Sequence, residues 1–123
     1  MIYGIGCDIV NIERVERIYL RFGSVFIKRI LTEIELAQAP LAHRRLFVSY
    51  VAKRYAAKEA YAKAMGTGIG SSIGFQNIEI LKDSTGKPYF SEKTLIQVRC
   101  KAHVSISDDY PLVIAYVIIS WES

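Results

Sequence analysis

Cysteine is scarce in this sequence: its 123 residues include only Cys7 and Cys100. One pair is too few for a disulfide-rich fold or for a complete cysteine zinc site, and both cysteines lie among apolar residues. We therefore expect two buried free thiols in a reducing compartment, which predicts a cytoplasmic protein.

The sequence also lacks a long apolar segment. Its longest uncharged run near the end, residues 110–121, is too short to cross a bilayer as a helix. The first ten residues are apolar, but they have no basic start and already contain Asp8, so they do not resemble a signal peptide. Repeats and low-complexity segments are missing as well. We therefore expect one domain over residues 1–123 and no membrane partner.

What the sequence does have is a globular composition, with 51% hydrophobic and 23% charged residues. A chain of this length can bury a core without disulfides. The formal net charge is +4 and the pI is about 9.1. This excess is compatible with nucleic acid, a nucleotide or an acidic protein as partner. Charge alone does not choose among them, so a small basic nucleic-acid-binding module is one hypothesis.

Apolar spacing and capping residues predict an α+β domain, in which a largely antiparallel sheet packs on one long helix. The long helix covers residues 42–65, which contain no Gly or Pro, and Gly66 ends it. Shorter helices are predicted after Asn11 and after the capping box formed by Thr32 and Glu35. Strands are predicted over residues 2–10, 75–81, 87–90, 103–107 and 112–121, with a turn at 83–86.

Two carboxylates lie at apolar positions. Asp8 interrupts the apolar run 5–10, and Glu59 lies on the predicted core face of the long helix. That face is formed by Val48, Ala52, Tyr55, Glu59 and Ala62. A buried ionised carboxylate must be paired or bind a metal, and magnesium prefers carboxylate oxygens. Two hypotheses follow: both acids bind magnesium, or each pairs with a nearby Lys or Arg and Glu59 lies at the edge of the stripe.

Possible phosphate-binding groups follow Glu59. Lys63 lies one helical turn later, so it either forms an exposed ion pair with Glu59 or contributes to a site. The glycine-rich loop 66–70 begins where the helix ends, but it lacks the order of a Walker loop. Because the dipole at a helix C-terminus disfavours anions, a phosphate there would need lysine side chains.

The first helix carries a basic stripe of Arg14, Arg17 and Arg21, with Glu13 and Glu16 interleaved. Internal ion pairs such as Glu13–Arg17 are one interpretation. A binding face for an acidic protein is the other.

Several stretches of the sequence are informative as an ordered set. They are residues 4–10 (GIGCDIV), 30–32 (ILT) with Glu35, 54–60 (RYAAKEA), 63–64 (KA), 66–69 (GTGI), 75–80 (FQNIEI), 86–88 (GKP) and 103–107 (HVSIS). Together they resemble the holo-acyl-carrier-protein synthase family of phosphopantetheinyl transferases. The stretches occur in family order and span nearly the whole chain, so the set is far more specific than any one of them.

The resemblance implies the 4′-phosphopantetheinyl transferase fold and a site for coenzyme A. Asp8 and Glu59 would bind magnesium at the diphosphate, and Lys63 would stabilise the leaving oxygen. The other residues implied at coenzyme A are Arg54, Lys58, Gly66, Thr67, Gly68, Ile69, Lys87, Pro88 and His103. Of these, Lys58 would lie by the phosphates together with Lys63, whereas Arg54, Lys87, Pro88 and His103 would lie near the adenosine end.

The activity implied is transfer of the 4′-phosphopantetheine arm of coenzyme A to a serine of apo acyl carrier protein, in support of fatty acid biosynthesis. Adenosine 3′,5′-bisphosphate would leave, and the general base is open between Glu59 and a water at the metal. The resemblance also implies a homotrimer with sites at subunit interfaces. Arg14 and Arg21 match the helix that binds the acidic carrier, with Arg17 on the same stripe, and no nucleic-acid partner is expected.

Asp108 departs from the family pattern, which often has His at this position. A non-catalytic trimeric scaffold with the same fold is a further alternative to the enzyme.

Overall fold

The computed structural model of the chain describes residues 1–70, 72–94 and 99–122. The predicted α+β class is confirmed. Within the described residues, no helix is both long and apolar enough to cross a membrane. The elements, in chain order, are β1 (Ile2–Asn11), α1 (Ile12–Phe22), α2 (Ser24–Ile30), α3 (Glu33–Ala37), α4 (Arg44–Met65), β2 (Ile80–Lys82), β3 (Pro88–Phe90), β4 (Cys100–Asp109) and β5 (Leu112–Trp121).

The main sheet has the order β1-β5-β4, and both pairs are antiparallel. β5 lies in the centre, and its side chains alternate between the two faces of the sheet. The inner face is made by Val113, Ala115, Val117 and Ile119, all fully buried. A second, smaller sheet is the antiparallel hairpin of β2 and β3. The predicted antiparallel sheet is therefore observed, with β5 as its apolar centre.

Helix α4 packs on the inner face of this sheet at very short distance. A Cβ atom at Gly6 would overlap the carbonyl oxygen of Ala60 and lie 2.7 Å from the backbone nitrogen of Ala64. A Cβ atom at Gly4 would likewise overlap the carbonyl oxygen of Ala64. Only glycine allows the backbones of β1 and α4 to approach this closely. This contact fixes α4 relative to the strand that carries Asp8.

The predicted ends of the helices are mostly confirmed. α4 begins at Arg44, two residues later than predicted, and ends where Gly66 adopts a φ of 83°. Asn11 caps α1 through its side chain, as predicted. Thr32 and Glu35 form the predicted capping box at the start of α3.

The predicted strand over residues 75–81 is wrong for most of its length. Phe75–Asn77 forms a 3₁₀ turn, and β2 begins only at Ile80. The carbonyl of Phe75 accepts a hydrogen bond from Lys58 Nζ at 3.1 Å. Because a buried side chain satisfies this backbone group, the apolar segment does not need a strand partner there.

Two further features differ from expectation. Helix α2 was not predicted. Gly23, with a φ of 57°, ends α1 as predicted, but it also precedes a second short helix that begins at Ser24. The thiols of Cys7 and Cys100 are free as expected, but both residues are partly exposed rather than buried.

A buried polar cluster joins α3 to α4 and β2. Glu35 is fully buried, and its carboxylate accepts hydrogen bonds from Lys58 Nζ at 2.6 Å and from the Ile80 backbone at 2.8 Å. Beside it, the Glu79 carboxylate accepts from Thr32 Oγ1 at 2.5 Å and from Ser91 Oγ at 2.7 Å. Burial raises the pKa of Glu79, but these hydrogen bonds outweigh that effect and lower it overall. The cluster satisfies charges that would otherwise be costly to bury.

The packing of β1 on α4 predicts that Gly6→Ala destabilises the fold. The added methyl group must displace backbone, so we expect a loss of about 3 kcal/mol in the free energy of unfolding, at the upper end of ordinary overpacking. Gly70→Ala is the matched control, because a Cβ atom there meets nothing within 4 Å. Urea unfolding at one protein concentration gives both values. A Gly6→Ala protein as stable as the control would show that the helix does not lie this close to the strand.

Candidate active site

One cavity of about 320 Å³ is lined by Asp8, Arg14, Tyr55, Glu59 and Lys63. Asp8 comes from β1, Arg14 from α1, and the other three from successive turns of α4. The rest of the lining is apolar: Ile9, Val10, Val15, Ile18 and Phe26. The two carboxylates singled out from the sequence, although about fifty positions apart, therefore face the same cavity.

Asp8 is paired with a cation. Lys63 Nζ donates to Asp8 Oδ1 at 3.0 Å and to the carbonyl oxygen of Cys7, also at 3.0 Å. The Asp8 side chain is 16% exposed, whereas that of Lys63 is 51% exposed. The hydrogen bond to Asp8 raises the pKa of Lys63, so this amine is protonated at neutral pH. The expected ion pair of Lys63 thus forms with Asp8 and not with Glu59.

Glu59 is half-buried and lies at the edge of the apolar stripe of α4. Burial raises its pKa, and the negative charge of Asp8 raises it further. The neighbouring Lys63 and Tyr55 side chains act in the opposite direction, but the net shift is upward. Because the carboxylates of Asp8 and Glu59 repel each other across the cavity, a cation bound between them would be stabilised.

The donor set at this cavity fits magnesium. Within the described residues, no group of three or more His, Cys, Asp or Glu side chains is placed to hold a metal ion. Zinc usually requires such a group, whereas magnesium uses one or two carboxylates and completes its shell with water and substrate phosphates. The two carboxylates of Asp8 and Glu59 would therefore hold a magnesium ion. Lys63 Nζ, which is paired with Asp8, adds a second positive charge beside them.

Lys58 does not lie at this cavity, which corrects its expected place by the phosphates. Its side chain is fully buried and donates to Glu35 Oε1, to the Ile30 carbonyl at 2.7 Å and to the Phe75 carbonyl. Burial lowers the pKa of Lys58, and the charge of Glu35 opposes that shift. Successive residues of a helix point about 100° apart, so Glu59 faces the cavity while Lys58 faces α3.

Arg54, which is predicted near the adenosine end, is also buried. It is 1% exposed, and its guanidinium lies 4.1 Å from the centroid of the Tyr50 ring. One of its terminal nitrogens is 3.5 Å from the carbonyl oxygen of Ile80, and its Nε has no hydrogen-bond partner among the described residues. Burial lowers the pKa of Arg54. In this chain the residue supports the core.

The loop expected to follow the ligand, Gly66, Thr67, Gly68 and Ile69, comes directly after the turn of α4 that carries Lys63. The backbone N–H of Gly66 bonds to the Lys63 carbonyl at 3.0 Å. Those of Thr67 and Gly68 both bond to the Ala62 carbonyl at 3.1 Å. Because these donors already close the helix, a phosphate beside the loop would depend on the ammonium of Lys63.

The remaining predicted ligand residues lie away from the cavity. His103 is exposed on the outer face of β4, opposite Ile118 in the sheet register. Lys87 and Pro88 belong to the β2-β3 hairpin. None of the three is among the residues that line the cavity. A single chain therefore does not bring the two predicted halves of the ligand site together.

Two other groups of charged residues were singled out from the sequence. Arg17 and Arg21 are exposed on α1, as a binding face requires, and Glu16 pairs with Arg44 of α4 at 3.5 Å. Asp108, which departs from the family pattern, lies 3.4 Å from Lys53 Nζ of α4.

Sequence reasoning did not assign Arg14 and Tyr55 to this cavity. Arg14 was expected only at the carrier face, but α1 directly follows the strand that carries Asp8, which brings Arg14 beside it. The sequence places Tyr55 on the apolar stripe of the long helix. Its spacing of four residues before Glu59 was the available signal, since residues at this spacing are neighbours on a helix.

Comparison with known proteins is consistent with this geometry. A model of the 4′-phosphopantetheinyl transferase superfamily matches residues 4–115. The chain is 46% identical over 128 residues to a holo-[acyl-carrier-protein] synthase of Ruthia magnifica subsp. Calyptogena magnifica, with 99% of both chains covered. Among solved structures, it is similar to the holo-[acyl-carrier-protein] synthase of Neisseria meningitidis, with a TM-score of 0.84, 42% identity and coverage of 98% of this chain and 99% of the other.

A second solved structure is the holo-(acyl-carrier-protein) synthase of Bacillus anthracis str. Ames in complex with CoA (3′,5′-ADP). It has a TM-score of 0.86, 38% identity and coverage of 100% of this chain and 99% of the other. The hypothesis of a basic nucleic-acid-binding module gains no support from these relatives. Since the family model covers residues 4–115 and a relative that aligns over 99% of both chains is 46% identical, the chain belongs to the holo-[acyl-carrier-protein] synthase family of the 4′-phosphopantetheinyl transferase superfamily.

Proposed function

We propose that this protein transfers the 4′-phosphopantetheine arm of coenzyme A to a serine of apo acyl carrier protein, with magnesium as its metal. The observation that carries the proposal is the meeting of Asp8, Glu59 and Lys63 at one cavity, two carboxylates and one ammonium. Transfer of a phosphoryl group depends mainly on positioning and on neutralisation of charge. The family supports the same reaction, and the Bacillus anthracis relative supports coenzyme A as the donor.

The chemistry divides among these residues. The serine oxygen bonds to the β-phosphorus of coenzyme A while its proton passes to Glu59 or to a water beside it. The bond from that phosphorus to the bridging oxygen of the leaving phosphate breaks, releasing adenosine 3′,5′-bisphosphate. Asp8 and Glu59 hold magnesium, which supplies positive charge at the diphosphate when it is bound. Lys63, whose raised pKa keeps it protonated, donates to the leaving oxygen.

The acceptor in this proposal is an acidic carrier protein that approaches along α1. Arg17 and Arg21 are exposed there, and Arg14 on the same helix lines the cavity that contains Asp8. A row of cations on one helix raises the rate of encounter with an acidic partner more than it raises affinity. The carrier serine would thus arrive beside the carboxylates of Asp8 and Glu59. The modified carrier would then serve fatty acid biosynthesis.

The assembly we propose is a homotrimer. The outer face of the main sheet carries exposed apolar side chains, with Ile5 58%, Ile9 61% and Tyr116 51% exposed. These residues are neighbours across β1 and β5, so they form a continuous patch that a second copy could cover. His103 lies on the same face, next to Ile118. An interface formed through this face would bring His103 to the cavity of a neighbouring subunit. That the assembly has three subunits is inferred from the family resemblance.

The proposed location is the cytoplasm. Cys7 and Cys100 are free, which suits a reducing compartment.

The function is tested by incubating an apo carrier with the protein, coenzyme A and magnesium, and then measuring the mass of the carrier. We expect a gain of one phosphopantetheine. A thermal-shift assay separates the alternatives, because only the enzyme should be stabilised by coenzyme A and magnesium together. A nucleic-acid-binding module or an inactive scaffold would leave the carrier mass unchanged.

The same assay with Asp8→Asn and Glu59→Gln tests the metal site. Each variant should slow turnover on the order of a hundredfold, which corresponds to roughly 3 kcal/mol of lost transition-state stabilisation. Because the folded state raises the pKa of Glu59, its ionisation costs stability at neutral pH, so Glu59→Gln should melt at or above the metal-free wild type. Asp8→Asn loses the contact with Lys63 and should cost at most about 1 kcal/mol.

Two results would contradict this assignment. If both variants melt far below wild type without metal, the carboxylates are structural. If they melt normally and turn over at wild-type rates, magnesium binds elsewhere.

The carrier face is tested by Arg17→Glu and Arg21→Glu, measured singly. Neither residue lines the cavity, so each change should raise the KM for carrier about three- to tenfold, less so at high salt, and leave the KM for coenzyme A unchanged. Lys93→Glu, the same charge change on the loop after β3, is the control. Equal effects on both KM values would argue against a carrier face.

The assembly is tested by light scattering. The purified protein should have about three times the monomer mass of 13.9 kDa. Ile118→Lys, on the outer sheet face, should lower that mass and the activity together. Leu41→Lys, at a residue that is 66% exposed elsewhere, should change neither. A fully active monomer would refute the shared site.

A further inference from the structure

A second cavity, of about 470 Å³, lies among α1, α2, α3 and the start of α4, and it shares no lining residue with the candidate active site. Its size falls within the roughly 300–1,000 Å³ of small-molecule sites. Leu20 and Leu41 at this cavity are 59% and 66% exposed. A ligand with an apolar chain would therefore remove apolar surface from water here. The apolar side chains of the wall are Tyr19, Leu20, Ile27, Leu36, Leu41 and Phe47.

The charged groups at this second cavity are cations. Lys28 of α2 and Arg44 of α4 line it, and none of its described lining residues is acidic. Lys28 is exposed and has no ion-pair partner within the described part of the chain. Arg44 Nε lies 3.5 Å from Glu16 Oε2, but this pair is largely exposed and therefore weak. An anionic group at the cavity would thus be attracted by Lys28 and could share Arg44 with Glu16.

A third cavity, of about 450 Å³, is also apolar but differs in two respects. Ile18, Phe26 and Tyr55 line both this cavity and the candidate active site, so it belongs to the region already described. Arg29 is the one cation among its described lining residues. The second cavity, by contrast, is separate from the active site and combines an apolar wall with two cations.

We propose that the second cavity binds an anionic amphiphile, namely the carboxylate of a medium- or long-chain fatty acid. The apolar chain packs on Leu20, Leu41 and Phe47, and the carboxylate faces Lys28 and Arg44. This binding site is additional to the transfer reaction and does not depend on it.

The proposal is tested by calorimetric titration of dodecanoate, below its critical micelle concentration, into the purified protein. We expect one saturable site per chain. Octanoate should bind at least about tenfold more weakly, because each buried methylene contributes up to about fourfold in affinity. Dodecyltrimethylammonium has the same chain and the opposite charge, so Lys28 and Arg44 should prevent it from displacing dodecanoate.

Lys28→Met removes the unpaired cation and keeps an apolar stem of similar length. We expect it to weaken dodecanoate binding about three- to fivefold, as for an exposed ion pair. Lys93→Met, on the loop after β3, is the matched control and should leave the affinity unchanged.

The apolar wall is tested by Leu41→Glu, which adds a negative charge beside the bound chain and should weaken dodecanoate binding more than about tenfold. Leu46→Glu is the matched control, because Leu46 is a 57% exposed leucine that does not line the cavity. Its affinity for dodecanoate should equal that of wild type.

Two measurements locate the ligand. On addition of dodecanoate, the NMR signals of the Leu20, Lys28 and Leu41 backbone amides should shift, whereas that of Glu59 should not. Arg29→Met, which changes the third cavity, should bind dodecanoate as wild type does.

The proposal is overturned if dodecanoate does not bind, if dodecanol binds as tightly, or if Arg29→Met rather than Lys28→Met weakens binding. It is also overturned if apo carrier or anionic phospholipid vesicles, but not dodecanoate, shift the amide signals of the second cavity, since that surface would then bind a macromolecule or a membrane. These titrations contain no coenzyme A. Their outcome is therefore distinguishable from failure of the proposed transfer reaction.

Discussion

The contact between β1 and α4 is the constraint on which the site depends. Gly4 and Gly6 lie directly against the carbonyl oxygens of Ala64 and Ala60, where any Cβ atom would overlap the helix backbone. This approach sets both the distance and the register of strand and helix. As a result, Lys63 Nζ reaches the strand carbonyl just before Asp8, at 3.0 Å, and Asp8 faces the same cavity as Glu59. A wider spacing would separate the two carboxylates, which come from distant parts of the chain.

Helix α4 serves two purposes on two of its faces. One face presents Glu59 and Lys63 to the cavity, whereas another presents Lys58 to a buried carboxylate on α3. Lys58 and Glu59 are adjacent in sequence, yet one is fully buried and the other is accessible. Burial requires the charge of Lys58 to be paired, so it stabilises the packing of α3 and the 3₁₀ turn on α4. Partial exposure leaves Glu59 available to a ligand.

The distribution of the other site residues agrees with a shared site. The cavity contains the carboxylates of Asp8 and Glu59, but His103 and Pro88 lie on the outer sheet face and on the hairpin. The outer face is apolar around Ile5 and Tyr116, which is unusual for a surface that meets only water. Both observations have one explanation if copies of the chain pack through this face, as we propose. A single subunit then provides the catalytic carboxylates of one site and the distant residues of another.

The sequence by itself determined the class of fold, the main helices and the pair of acids. Local signals sufficed for these: the Thr32–Glu35 capping box, the end of α4 at Gly66, and the β-branched apolar run of the last strand depend only on near neighbours along the chain. Ordered motifs then gave the family. The segment 75–81 was assigned wrongly, because its backbone bonds to side chains distant in sequence, such as Lys58.

Only the tertiary structure decided which charges belong to the cavity. Nothing local separates Arg54 and Lys58 from Lys63, since all three are cations on one helix. Packing against α3 and the β2-β3 hairpin buried the first two, while the glycine contacts of β1 placed Lys63 on Asp8. These assignments depend on elements far apart in sequence, whose distances no local pattern encodes.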